Sequence, residues 1–173
     1  DWDGDRDLID KLHEWNDSKR LALNFTDVHD LTSSSDNSYN CSIKRSLRQR
    51  LNLCKTFVLI VGKYTKGLRS GSCALCSNYR KGLYGIAPYC SRSSCNTIDY
   101  RSYVDYECEM ALKDYNEGKL KNIVVIYNGL LNVDKSRCPD CLKDVGVHIA
   151  SDTIGADGTR RWNYQNIKNA ISK

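Results

Sequence analysis

An α/β fold, with a parallel sheet covered by helices on both faces, is what this chain of 173 residues predicts. Three observations carry it. Helix-spaced and strand-like apolar segments alternate along the chain. "KTFVLIVG" and "KNIVVIYN" are continuous apolar runs, the pattern of strands buried on both faces. An amphipathic helical stretch precedes each, the order in which crossovers join parallel strands.

The elements follow in order. "RDLIDKLHEW" spaces Leu8, Leu12 and Trp15, with Ile9 beside them, as a helix does. "LALNF" reads as a short strand ending in the polar loop "TDVHD", which continues through "LTSSSDNSYN". "SIKRSLRQRLNLC" puts Ile43, Leu47, Leu51 and Cys54 on one helical stripe, with Lys44, Arg45 and Arg48 outside it. The strand "FVLIV" comes next, closed by glycine. Residues 65–101 are rich in Gly, Ser, Tyr and Cys and show no sustained period. A helix over 103–117 carries the stripe Val104, Cys108, Ala111, Leu112 and Tyr115. Strand "NIVVIYN", a loop containing "RCPDC", a weak last strand "GVHIA" and a last helix "NYQNIKNAISK" complete the chain.

This pattern suits one domain over 1–173 with a Cys-rich insert at about 67–101. Asp1–Asp5 read as the exit loop of a first strand lying upstream of residue 1. No run approaches the roughly 18 apolar residues of a membrane span, so no membrane partner is expected. The opening "DWDGDRD" is acidic where a secretory segment is basic and then apolar, which points to a cytoplasmic chain.

Charge is uneven. Residues 1–36 hold ten acids and four bases, residues 37–102 one acid and twelve bases, and the remainder ten of each. A basic middle can meet a nucleotide phosphate, nucleic acid or an acidic partner, or can be plain solvated surface.

Nine cysteines cannot all pair internally. Cys73, Cys76, Cys90 and Cys95 form two close pairs across a loop, the spacing of a structural four-sulfur zinc site. The second spacing is looser than usual. Cys138 and Cys141 of "CPDC" are a rival pair, and free loop thiols are the plainer alternative. Cys41, Cys54 and Cys108 read as buried small apolar residues. A zinc module beside basic residues also suits nucleic-acid binding. Against this, the bases are spread over helix 42–53 and the insert without interleaved aromatics, so nucleic acid is the least favoured partner.

In open parallel sheets, ligands bind beyond the carboxyl ends of the strands. "DWDGD", "DVHD", "GKYTK" and the start of helix 103–117 emerge there, and the helix brings Glu107. Periodicity does not separate Glu107 from Glu109, since both flank the apolar stripe. A glutamate near a helix start is also a common stabilising feature.

"DWDGDRDLIDKL", the aspartate of "NFTDV", "IKRSLRQRLNLCKTFVLIVGKYTK", "SYVDYECEMAL" and "KNIVVIYN" together resemble bacterial TIR-like domains of the Thoeris defence type, relatives of Toll/interleukin-1 receptor domains. The resemblance spans about 1–66 and 102–173. It implies a flavodoxin-like three-layer fold with a five-stranded parallel sheet in order 2-1-3-4-5. It also implies cleavage of NAD at the nicotinamide–ribose bond, to cyclic or linear ADP-ribose, in anti-phage signalling. Partners would be NAD, and a second TIR domain or an effector protein. The family's "W-V-x-x-E"-like motif falls on "YVDYE", which makes Glu107 the catalytic glutamate and puts Tyr103 where tryptophan is usual. Trp2 or Tyr103 would stack on a ring, and Lys63 or Lys66 would face the diphosphate. Asp3, Asp5, Asp30 and Tyr64 would wall the cleft. The contrasting expectation is a catalytically silent TIR-type interaction module.

Overall fold

The computed structural model describes residues 5–21, 23, 25, 39–91, 95 and 97–172. In chain order these form α1 (Arg6–Asp17), α2 (Asn40–Leu51), β1 (Thr56–Val61), a small hairpin β2 (Tyr79–Arg80) and β3 (Tyr89–Cys90), and α3 (Tyr103–Asn116). Then come β4 (Asn122–Tyr127), β5 (Val147–Ala150), a second hairpin β6 (Asp152–Ile154) and β7 (Arg160–Trp162), and α4 (Tyr164–Ile171).

β1, β4 and β5 pair in that order as a parallel sheet, with Thr56 opposite Asn122 and Val124 opposite Val147. β4 is the central strand, and Ile123 through Tyr127 are all fully buried. Alternation then sorts its side chains. Ile123, Val125 and Tyr127 pack with Leu51, Cys108 and Ala111 of α2 and α3. Val124 and Ile126 pack with Leu8, Leu12 and Trp15 of α1 and with Ile167 and Ala170 of α4. Helices therefore cover both faces, as the two continuous apolar runs require.

A parallel sheet of three strands with helices on both faces is compatible with a TIR-like fold. Of the expected strand over 21–25, the described residues include Leu21, Leu23 and Phe25, which pack with α1, and Phe25 N–H donates to Asn16 Oδ1 at 2.9 Å. The β6–β7 hairpin was not anticipated. Its signal is "GADGT", a glycine-rich turn between two three-residue strands too short to show a period.

Two features of the helices differ from the periodicity reading. Lys44 is buried, not outside the stripe: its ammonium donates to Arg101 O at 2.7 Å and lies 3.3 Å from Asp99 Oδ1. On α3 the buried face is Cys108, Ala111 and Asp114, while Tyr115 is exposed. The apolar stripe is thus turned by one position, because Asp114 has a cation to meet. Arg48 of α2 donates to both its carboxylate oxygens, at 2.7 and 2.9 Å. A two-pronged Arg–carboxylate pair is directional and so sets the register of α2 against α3.

The two partners of this pair are unequal. Asp114 is 2% exposed, whereas the Arg48 side chain is 27% exposed. Removing the arginine strands a buried carboxylate whose next cation, Lys119, is 4.0 Å away. Removing the aspartate lets the arginine turn to water. Arg48→Met should therefore destabilise by about 2–4 kcal/mol, and Asp114→Asn by clearly less, in urea unfolding of the two variants.

Candidate functional site

The residues that follow the three parallel strands are Gly62, Asn128 and Ser151, and they form a polar ledge at the carboxyl edge of the sheet. Asn128 N–H donates to Val61 O and Ser151 N–H to Tyr127 O, at 2.9 and 3.0 Å, so the ladder extends onto the ledge. Ser151 Oγ accepts from Gly129 N–H at 2.9 Å. Asp5, buried at the start of α1, reaches across this ledge. Asn128 Nδ2 donates to Asp5 Oδ1 at 3.1 Å and to Asp7 Oδ1 at 3.0 Å. The Asp5 carboxylate lies directly over Gly62, where a Cβ would stand 2.4 Å from its oxygen, so a side chain there would displace the carboxylate. Asn128, which the sequence reading missed, holds Asp5 in place. Its only sequence signal is its position, one residue past an apolar run.

Glu107 lies in the second turn of α3, one turn farther in than expected. Ser102 caps the helix, its Oγ accepting from Asp105 N–H at 3.0 Å. Beyond the first turn the helix dipole contributes little, so the environment of Glu107 is set by what packs around it. Glu107 is half-buried and its pKa is raised to about 7. Burial away from water is the main cause, partly offset by the positive charge of Arg50, which is itself buried near the end of α2. Glu109 differs sharply. It is exposed and paired with Arg101 Nη1 at 2.7 Å. The two glutamates that periodicity could not separate are separated by their surroundings.

The other expected site residues fall as follows. Trp2, Asp3 and Asp30 lie outside the described residues, as do the rest of Asp1–Gly4 and the Asp27–Asp30 loop. Tyr64 is exposed, with the Lys63 ammonium 5.2 Å from its ring centre. Both follow Gly62 at the carboxyl edge. Lys66 is tied to Asp140 at 2.6 Å. Tyr103 turns toward α2: its hydroxyl donates to Asn40 Oδ1 at 2.9 Å, and its ring covers Gly71. Gly71 has φ +98°, and a Cβ there would be 2.5 Å from the ring, so glycine is required twice over.

Two cavities flank α2, and Glu107 lines neither. One, open and about 430 Å³, is bordered by Lys44, Arg45, Arg48, Asp99 and Tyr106. Its cations are largely engaged, Lys44 by Asp99 and Arg48 by Asp114, and Arg101 nearby holds Asp99 and Glu109. The two arms of Arg101 and the Lys44 charge hold the Asp99 carboxyl down at about 2 against its desolvation. Three bases of the basic middle, Lys44, Arg48 and Arg101, are thus held in ion pairs around this cavity.

The other cavity is lined by Cys41, Cys73, Cys76, Cys90 and Cys95. Cys73, Cys76, Cys90 and Cys95 share this lining with Cys41, which is half-buried beside the cavity rather than packed as a small apolar core residue. Cys138 and Cys141 do not join them. Cys138 is fully buried in the core and Cys141 packs against Cys108 of α3. Among the described residues no group of three or more His, Cys, Asp or Glu already stands in metal-holding geometry.

Residues 2–70 match the family model described as Thoeris protein ThsB, TIR-like domain. No curated protein and no solved structure gives a match.

Glu107 also makes the fold pH-sensitive. Its carboxyl keeps its proton to about pH 7 in the folded chain, against an ordinary value of 4.5. Between those values the folded chain binds the extra proton. The contribution is therefore complete below about pH 4.5 and is lost as pH rises through 7. Glu107→Gln removes this dependence. Relative to the unsubstituted chain it should gain on the order of 1–3 kcal/mol as pH rises from about 5 to 8, by urea unfolding at each pH.

Proposed function

We propose that this chain, whose residues 2–70 match the family model described as Thoeris protein ThsB, TIR-like domain, is a TIR-type defence or signalling module that cleaves NAD at the nicotinamide–ribose bond with Glu107 as the catalytic carboxylate. The matched segment ends before α3. What supports Glu107 is its own setting: a half-buried glutamate near the N-terminal end of α3, with its pKa lifted to about 7 and a buried arginine within electrostatic reach. A perturbed carboxylate near the ligand-binding edge of a parallel sheet is a functional-site signal.

The chemistry suits a single carboxylate. Breaking the bond to nicotinamide builds positive charge on the ribose, as in glycoside cleavage. The leaving group is cationic in the substrate and departs neutral, so it needs no general acid. An ionised Glu107 orients the ribose hydroxyls and stabilises the developing oxocarbenium charge. Water then gives linear ADP-ribose, or an internal adenine nitrogen gives a cyclic product. In this reading Tyr64 and Lys63, which follow β1 and contact each other, would meet the ring and diphosphate of the dinucleotide.

A second reading is a silent TIR-type module that self-associates or docks an effector. Nicotinamide release by the purified chain decides between the two. Persistent inactivity with concentration-dependent association favours the module.

For the enzyme, Glu107→Gln should lower kcat by on the order of a hundredfold or more with the fold intact by circular dichroism. Glu109→Gln, which removes only an exposed pair with Arg101, should leave kcat within about twofold. Since the ionised form is the active one, kcat should rise with pH through about 7, the value to which burial lifts Glu107.

A further inference from the structure

The insert between β1 and α3 has almost no core of its own. Leu75, Leu83, Tyr84, Ile86 and Tyr89 are all exposed, and its hairpin has two residues per strand. Yet its cysteines do not scatter. Cys73 opens a 3₁₀ turn that Cys76 closes, with Cys76 N–H donating to Cys73 O at 3.0 Å. Cys90 lies on β3 opposite Tyr79 of β2. Cys95 follows, and its thiol contacts those of Cys90 and Cys41. A C-x-x-C turn leading into a hairpin whose return strand brings the next cysteine is an economical way to converge thiols on a point.

Cys41 comes from elsewhere, the first turn of α2, and lines the same cavity. The space between the five thiols is about 10 Å³, room for one water-sized sphere. All five are free thiols. Asp99 N–H donates to Cys73 Sγ at 3.4 Å. The surroundings are already clamped. Asn40 Nδ2 donates to Ser72 O at 2.9 Å, and Cys73 N–H donates to Asp99 O at 2.9 Å. Five sulfurs around an ion-sized space, in a segment without apolar support, ask for a soft cation.

We propose that these thiols bind one zinc ion, with Cys73, Cys76 and Cys90 as constant ligands and the fourth position closed by Cys41 or Cys95. Four thiolates leave no open coordination position, so the site is structural. With Cys41 as the fourth ligand it fastens the insert to α2 and thereby to the α2–α3 pair. Among the described residues no three donors stand in finished ligand geometry, so the thiols turn inward as the ion binds. The proposal is independent of the NAD reading, because none of its residues belongs to the carboxyl-edge ledge.

The test uses the whole chain, purified under reducing conditions. Elemental analysis should find one zinc per chain. Exchange with cobalt(II) should give the intense visible bands of tetrahedral thiolate coordination together with sulfur-to-metal charge transfer. Cys73→Ser/Cys76→Ser and Cys41→Ser/Cys95→Ser should each abolish cobalt colour, whereas Cys54→Ser should retain it. The cobalt spectrum of the unsubstituted chain does not depend on the variants folding. Absence of both zinc and cobalt colour in the unsubstituted chain would overturn the site. So would metal retained by Cys73→Ser/Cys76→Ser, or disulfides joining these positions in the reduced preparation.

Discussion

The two-pronged bond between Arg48 and Asp114 is the constraint on which most of the molecule's functional geometry rests. It fixes α2 alongside α3, and with Lys44 bound to Arg101 O and Asp99 it fixes the helices at both ends of their contact. A buried ionic pair is a poor source of net stability but a strong source of register. That register sets Asn40 against Tyr103 and brings Cys41 to the root of the insert. It also leaves the buried Arg50 within electrostatic reach of Glu107.

Glu107 and Glu109 show how far one helix can separate two like groups. They are two residues apart, so their side chains leave α3 on different flanks. One meets Arg101 in the open, where water weakens the pair. The other is drawn into the protein, where losing water disfavours its charge more than Arg50 restores it. The result is a carboxylate poised near neutrality in the second turn of α3.

The cysteines likewise divide by environment rather than by motif. Cys108, Cys138 and Cys141 gather around the core next to Tyr127 and the turn at Asp140–Leu142. His148 secures that turn, its Nε2 donating to Leu142 O and Val145 O at 3.1 Å while Nδ1 accepts from the Tyr127 hydroxyl. Burial lowers the pKa of His148, consistent with that neutral tautomer. Of the other six cysteines, Cys41, Cys73, Cys76, Cys90 and Cys95 line one cavity beside α2, and the Cys54 thiol, past the end of α2, donates to Arg50 O at 3.3 Å.

The apolar runs of β1 and β4 and the helical spacing of α1, α3 and α4 determined the α/β class, because burial on one or both faces leaves a period in the chain itself. The gathering of Cys73, Cys76, Cys90 and Cys95 was also legible, since close spacing across a turn limits how far apart two thiols can lie. Other features were not. Lys44 and Asp114 are charged, and pattern alone places charges outside; only partners distant in sequence make their burial tolerable. Cys41 joins thiols more than thirty residues away through the α2–α3 register. Asn128 and Asp5 meet across nearly the whole described chain. The difference between Glu107 and Glu109 is likewise a matter of desolvation and neighbouring charge. Such properties belong to the space around a side chain, and that space exists only once the chain has folded.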